Sequence, residues 1–311
     1  MKHMTMGRIG LLLAASLAAL APVAAGAQAV VAPPVRATVT AAPRTILFIG
    51  NSFTQGAHSA VRNYRTDSVT DLNHDGYGGV PALFKLFAEE SGQAWQVSLE
   101  TQGGKGLDFH YDTRRALFDR PWDVVMLQDF STLDREHPGD PALHIRYAGL
   151  LASLLRARNP QVRIELTATW SRADLTYKPK GAWYGKPITA MASDLRAASN
   201  LALASSKQIE GVVPVGEAWN RAFADGVADP NPYDGTAFGQ VDLWSYDQYH
   251  ASIAGYYLEA LTIFGKVTGV DPRSLGATER AADELGLSPE LAVTLQGVAF
   301  RQLEAERTGR R

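Results

Sequence analysis

Short apolar runs alternate with longer amphipathic segments from about residue 44 onward, and this alternation constrains the fold more than any other feature of the sequence. The runs TILFIG, WQVSLE, DVVMLQ, VRIELTATW and GVVPVG are separated by segments of helical character. Strands that alternate with helices are typical of a parallel sheet covered by helices on both faces. Strands buried on both faces read as continuous apolar runs. We therefore predict an α/β fold with five strands, at about 45–49, 94–99, 123–127, 162–168 and 211–215, and a helical region from Ala251 onward.

The first 27 residues have the character of a secretory signal peptide. Lys2 and Arg8 precede an apolar run that ends in the small residues before Gln28. The run is too short and too rich in alanine for a stable membrane anchor, so we expect an exported protein, periplasmic or secreted. Residues 28–43 resemble an extended leader, and residues 44–311 are long enough for one domain with its own core.

The composition argues against nucleic acid as a partner and against stabilisation by disulfides. The formal net charge is −2, and it becomes −4 if cleavage removes Lys2 and Arg8. A nearly neutral protein does not suit nucleic acid as a partner. The chain has no cysteine, so its stability must come from the core and not from disulfides. Nothing in the sequence indicates an oligomeric state.

A serine follows the first predicted strand in the segment Gly50, Asn51, Ser52. Ligands of open parallel sheets bind at the carboxyl ends of the strands, where a serine can present both its hydroxyl and a free backbone N–H. Taken alone, the segment also fits a helix cap. It lacks the second glycine of the Gly-x-Ser-x-Gly elbow, because Thr54 occupies the fifth position of that motif.

Asp247 and His250 lie three residues apart, directly before an apolar helical segment. One turn at that spacing can bring the carboxylate to one imidazole nitrogen and leave the other nitrogen facing a hydroxyl. The pair alone also fits a solvated capping turn.

The Ile-Gly-Asn-Ser segment and the Asp-x-x-His segment together resemble the first and last sequence blocks of the SGNH (GDSL-type) hydrolases. The resemblance implies a three-layer α/β/α sandwich of flavodoxin-like type, with a central parallel sheet of about five strands. It also implies a nucleophile at Ser52, a general base at His250 and an orienting carboxylate at Asp247. We expect no cofactor and no metal.

The same resemblance implies an oxyanion hole with three donors. These are the N–H of Ser52, the N–H of a glycine after the second strand and a side-chain amide after the third strand. We prefer Gly104 to Gly103, since Gly-Lys-Gly-Leu is similar to the continuation usual in the family. Gln128 stands where the family has Asn, which indicates a side branch, and its amide is the same donor on a longer stem. Asp129 is expected to hold the loop.

Two further features fit ordinary structural roles better than metal binding. The segment Asp71–Gly76 resembles the start of a calcium loop, but Ala82 stands at the twelfth position where a glutamate should be. An Asx-rich surface loop is the preferred interpretation. Five histidines show no paired metal-ligand spacing and are predicted to be ordinary surface or core residues: His58, His74, His110, His137 and His144.

Aromatic residues near the predicted site suggest a substrate. Trp170, Trp183, Tyr184 and Trp244 either stack on sugar rings or cover the core, and the sequence leaves both open. We therefore expect a carboxylic ester hydrolase that removes short acyl groups, such as acetyl, from a carbohydrate or cell-wall polymer. The alternatives are a lysophospholipase-like or thioesterase-like enzyme and a catalytically weak glycan-binding module.

Overall fold

Five of the six strands lie where the apolar runs predicted them. The computed structural model describes residues 42–309, so the predicted signal peptide (1–27) and nearly all of the predicted leader (28–43) lie outside the described residues. The sixth strand has two residues, too few to produce a recognisable pattern. The strands are β1 (Arg44–Gly50), β2 (Thr70–Asp71), β3 (Trp95–Thr101), β4 (Val124–Leu127), β5 (Arg163–Ala168) and β6 (Gly211–Pro214).

All strand pairs are parallel, and the order across the sheet is β2-β3-β1-β4-β5-β6. Without the short β2, this is the flavodoxin-like order, in which the chain moves outward from β1 in both directions. Ligands of such sheets bind where the order reverses, beyond the carboxyl end of β1. The topology therefore directs attention to the residues that follow Gly50.

Ten α-helices and four shorter helical turns connect and cover the strands in the described part of the chain. The helices are α1 (Gly79–Glu90), α2 (Leu107–Phe109), α3 (Arg115–Phe118), α4 (Ala142–Arg158), α5 (Ala173–Tyr177), α6 (Thr189–Ser205), α7 (Val215–Ala224), α8 (Ile253–Thr268), α9 (Arg280–Glu284) and α10 (Pro289–Arg307). The turns are 3₁₀ at Ala60–Asn63, Thr66–Ser68 and Pro272–Leu275, and π at His110–Arg114.

Two apolar clusters lie on the two faces of the sheet. Side chains of a strand point alternately to opposite faces. In β1, Ile46 and Phe48 accordingly pack with α1, α7, α8 and α10, whereas Leu47 and Ile49 pack with α4. The three-layer α/β/α sandwich is therefore confirmed.

The helix α8 fixes the end of the chain that carries Asp247 and His250. Its N-cap Ser252 accepts a hydrogen bond from the Gly255 N–H at 3.3 Å, and Gly269 ends the helix with φ 75°. The body of α8 is buried against α1 and α10. His250 and Ala251, which directly precede this cap, are accordingly buried. Within residues 42–309, no helix combines the length and apolar character needed to cross a membrane.

Candidate active site

Ser52 lies on a tight turn at the carboxyl edge of β1. A Cβ at Gly50 would lie 2.2 Å from Thr54 Oγ1 and 2.7 Å from Gln128 Oε1, so only glycine fits there. The Asn51 side-chain amide donates to the Lys105 carbonyl at 2.9 Å and to the Asp129 carbonyl at 3.0 Å. The loops after β3 and β4 are thereby tied to the turn that presents Ser52.

The side chains of Ser52, His250 and Asp247 form one hydrogen-bonded chain. His250 Nε2 lies 2.9 Å from Ser52 Oγ, and His250 Nδ1 lies 2.6 Å from Asp247 Oδ2. The other carboxylate oxygen, Oδ1, accepts the backbone N–H groups of His250 at 2.9 Å and of Tyr249 at 3.1 Å. The structure thus brings together the three residues that the two motifs singled out.

The electrostatics of the pair suit a neutral imidazole beside an ionised carboxylate. Burial lowers the pKa of His250 below its ordinary value, although the hydrogen bond and charge of Asp247 act in the opposite direction; His58 and Arg172 lower it further. Burial alone would raise the pKa of Asp247. Hydrogen bonds from the His250 side chain and from the His250 and Tyr249 backbone nevertheless hold that pKa below its ordinary value.

An aromatic stack supports the turn from behind. Phe53 stacks on Trp170 with ring centroids 4.1 Å apart, and Trp170 stacks on Trp219 at 4.8 Å. The Trp170 Nε1–H donates to the Tyr249 carbonyl at 3.2 Å. The neighbours of Ser52 and of His250 therefore contact the same buried indole.

Of the two roles that the sequence left open for the three tryptophans, their burial favours covering the core over stacking on sugar. Trp170 has no exposed surface, and Trp244 and Trp183 are 2% and 3% exposed. Trp244 stacks on Phe223 at 5.3 Å. These indoles cover the core, the alternative that the sequence left open. Tyr184 is 57% exposed, and its role in substrate binding stays a prediction.

The structure also places Gln128 differently from the predicted oxyanion donor. Its side chain is buried, and Oε1 accepts the Asn51 N–H at 2.9 Å and the Thr54 hydroxyl at 3.0 Å. Its Nε2 donates to the Asp129 carbonyl. Gln128 directly follows the buried strand β4, and its side-chain amide is directed into the turn that carries Ser52. Gln128 supports the turn that carries Ser52 and does not present its amide to Ser52.

The other two predicted donors are better placed. Within residues 42–309, the N–H groups of Ser52 and Gly104 donate to no protein acceptor. Gly104 has φ 66°, which favours glycine, and the hydrogen bond from Asn51 to the Lys105 carbonyl holds its loop beside the turn. Gly103 has no such backbone requirement.

Asp129 holds its loop as predicted. Its Oδ1 accepts the N–H groups of Leu107 at 2.9 Å and of Phe130 at 2.7 Å, and its Oδ2 lies 2.9 Å from His144 Nδ1. The buried His144 is thus an ordinary core histidine.

Sequence reasoning missed several residues around the site. His58, predicted to be an ordinary histidine, lies against His250 with ring centroids 4.4 Å apart. Arg172 lies over the Tyr249 ring at 3.6 Å and pairs with Asp174 at 2.6 Å. The only available signal was closeness in sequence: His58 follows Ser52 by six residues, and Tyr249 adjoins His250.

Potential metal ligands occur at two places. Asp71 accepts four N–H groups of its own loop, from Asn73, Asp75, Gly76 and Tyr77, at 2.9 to 3.2 Å. Its oxygens are therefore engaged by donors, as in the preferred Asx-loop interpretation. Ligand atoms of His58, Asp247 and His250 lie within 4.8 Å of one another. The two imidazoles, however, lie face to face at 33°, so their nitrogen lone pairs do not converge on one point.

No protein-family model and no curated protein matches the sequence. Solved structures do resemble the fold. A DUF4886 family protein from Bacteroides uniformis has 18% identity and a TM-score of 0.57, with 87% of this chain and 97% of that chain covered. A GDSL-like lipase structure from Parabacteroides merdae has 17% identity and a TM-score of 0.49, with coverage of 73% and 95%. The structure of TesA has 14% identity and a TM-score of 0.45, with coverage of 73% and 99%.

At such identities, similarity shows the fold alone. The Bacteroides protein shares that fold over nearly its whole length. The fold of this chain, a parallel sheet of flavodoxin-like order between two helical layers, is the one that its resemblance to the SGNH hydrolases predicted.

Proposed function

We propose that this protein is a serine esterase that hydrolyses carboxylic esters in two steps. The observation that carries the proposal is the chain of contacts from Ser52 Oγ to His250 Nε2 at 2.9 Å and from His250 Nδ1 to Asp247 Oδ2 at 2.6 Å. Such a chain allows the imidazole to take the serine proton while the carboxylate fixes its tautomer. The alternative roles, a helix cap at Ser52 and a capping turn at Asp247 and His250, would not require these three side chains to contact one another.

In the first step, Ser52 Oγ attacks the ester carbonyl carbon as His250 Nε2 takes the hydroxyl proton. The carbonyl oxygen becomes an oxyanion that the N–H groups of Ser52 and Gly104 stabilise. The carbon–oxygen bond to the alcohol then breaks, and His250 returns its proton to the departing alcohol. In the second step, a water activated by His250 hydrolyses the acyl-serine and regenerates Ser52.

We further propose that the substrate carries a short acyl group, such as acetyl, on a carbohydrate or cell-wall polymer outside the cytoplasm. The apolar N-terminal run supports export.

The test is hydrolysis of p-nitrophenyl acetate, butyrate and octanoate by the mature protein and its Ser52→Ala variant. Ser153→Ala, at an exposed serine of α4, is the matched control, and circular dichroism checks the folding of all three. We expect the rate on acetate to be highest, unchanged in the control and abolished in Ser52→Ala. Equal rates from folded wild type and Ser52→Ala would refute the serine mechanism and favour the binding module. A preference for octanoate would favour an acyl-chain hydrolase.

A further inference from the structure

His250 lies between two aromatic rings that belong to different parts of the chain. The ring of Tyr249 lies on one side, with centroids 4.2 Å apart, and the ring of His58 lies at 4.4 Å. Phe53 meets the imidazole edge-on at 5.6 Å. The His250 side chain is consequently only 7% exposed, although its Nε2 reaches Ser52. Tyr249 is fixed by its neighbour in sequence, whereas His58 must be brought there by the fold.

The backbone at His58 adopts an unfavourable conformation to reach this position. His58 has φ 60°, in the left-handed region that non-glycine residues rarely occupy, and Gly56 precedes it with φ 71°. Residues held in such conformations cluster at functional sites, because the surrounding structure must compensate for the strain. Here the compensation is visible: the Ser245 hydroxyl donates to the His58 carbonyl at 2.7 Å. The Ser245 N–H in turn donates to the His250 carbonyl at 2.7 Å.

The polar atoms of His58 also have defined neighbours. Its Nδ1 is hydrogen-bonded to the hydroxyl of Tyr246, a residue that is otherwise 77% exposed. If that hydroxyl donates, Nε2 carries the ring proton. Nε2 lies 3.9 Å from Asp247 Oδ2, the oxygen that also contacts His250. This distance is too long for a hydrogen bond, so the effect of His58 on the carboxylate is electrostatic.

We propose that His58 is a positioning residue of the esterase site: its ring covers the outer face of His250 and holds the imidazole against Tyr249 in the orientation that serves Ser52. This inference rests on the proposed function. In the described part of the chain the His58 side chain contacts Tyr246, His250 and Asp247 and not Ser52 Oγ, so its effect on Ser52 passes through His250.

The cover has a consequence for the pH dependence. Four groups face or influence His250: Asp247, which favours its charged form, His58 and Arg172, which disfavour it, and the Tyr249 ring. Removal of His58 admits water to the imidazole face and removes a repelling group. Both changes raise the pKa of His250 from its lowered value. Because the base must be neutral, the acidic limb of the rate profile should then move to higher pH.

The experiment compares His58→Asn and His58→Phe with wild type. Asparagine tolerates the left-handed backbone but exposes the imidazole, whereas phenylalanine keeps a ring over it. His74→Asn is the matched control, since His74 is an exposed histidine with φ 62° in the Asp71 loop. For p-nitrophenyl acetate we measure kcat, KM and the pH profile, and thermal unfolding for each variant.

We expect His58→Asn to lower kcat by roughly three- to tenfold with little change in KM, the range for loss of one contact, and to move the acidic limb to higher pH. His58→Phe should move the limb less than His58→Asn does, because phenylalanine keeps a ring over the imidazole and removes only the repelling group, and His74→Asn should match wild type. An unchanged kcat and pH profile in His58→Asn, or a change confined to KM, would overturn the proposal. If His58→Asn unfolds, the kcat of His58→Phe decides, since a ring at this position should keep kcat near that of wild type, and a loss of roughly three- to tenfold despite the ring contradicts the proposal. If Ser52→Ala abolishes hydrolysis while the His58 variants behave as wild type, the proposal for His58 is refuted and the proposed esterase function stands.

Discussion

Replacement of Gln128 by alanine separates a structural role from a catalytic one. The Gln128 Oε1 accepts the Asn51 N–H at 2.9 Å and the Thr54 hydroxyl at 3.0 Å, and the side chain is 2% exposed. Gln128→Ala removes this acceptor and leaves the Asn51 N–H buried without a partner. The turn that presents Ser52 is then attached to the end of β4 only through the hydrogen bond from the Asn51 side chain to the Asp129 carbonyl.

The expected cost follows from these contacts. A buried N–H without a partner costs about 1–3 kcal/mol, and loss of the Thr54 hydrogen bond adds about 1 kcal/mol. We therefore expect Gln128→Ala to lower the free energy of unfolding by about 2–4 kcal/mol, measured by urea denaturation and tryptophan fluorescence. Its kcat should also fall, because Ser52 is no longer held in place.

A second buried glutamine provides the control. Gln296, in α10, has no exposed surface and donates to the Gly276 carbonyl at 2.9 Å. Gln296→Ala should lose stability but keep the kcat of wild type at temperatures where it is folded. The reasoning is refuted if Gln128→Ala keeps native stability while kcat falls by about 10²- to 10³-fold, the loss typical of a direct oxyanion donor.

Three further predictions concern pH and metal. Because burial holds the pKa of His250 below its ordinary value, the acidic limb of kcat/KM for p-nitrophenyl acetate should lie below the ordinary histidine range; a limb above it would contradict the assignment. Burial raises the pKa of Glu259 well above its usual value, so the unfolded chain releases this proton first and stability is lost as pH rises above the ordinary glutamate pKa. The stability gained by Glu259→Gln should thus grow by up to about 1.4 kcal/mol per pH unit from pH 5 to 7 in urea denaturation, and a constant difference would exclude this explanation. EDTA should change neither the melting temperature nor the rate, because the Asp71 carboxylate is engaged by N–H groups; a chelator-induced loss of stability would indicate a cation in that loop.

The apolar runs predicted the fold well because burial on both faces of a parallel sheet leaves a strong local signal. Five strands were located within one or two residues at each end. The strand β2 escaped prediction because its two residues pair with β3 only at the edge of the sheet. The contacts of Ser52, His250 and Asp247 were accessible to sequence reasoning since each lies in a short motif next to a regular element.

The direction of single side chains was not accessible in the same way. Gln128 and Trp170 both follow strands at the edge of the sheet where ligands bind, yet both point into the protein. Position after a strand fixes the edge, but the local turn decides whether a side chain faces the core or the solvent. His58 shows the converse, because its left-handed backbone turns an exposed loop residue toward the site, and no spacing rule anticipates that conformation.

The distance between Ser52 Oγ and His250 Nε2 also depends on residues of the core that contact neither atom. Ser52 and His250 come from opposite ends of the domain, and their neighbours Phe53 and Tyr249 both contact Trp170, through a stack at 4.1 Å and a hydrogen bond at 3.2 Å. Close-packed interiors relax little, so a change of this indole should be transmitted to both neighbours and thereby to the distance between Ser52 Oγ and His250 Nε2. On the proposed mechanism, a substitution of the buried Trp170 that displaces Ser52 from His250 by about 1 Å should lower the rate by roughly 10²-fold without any contact to the substrate.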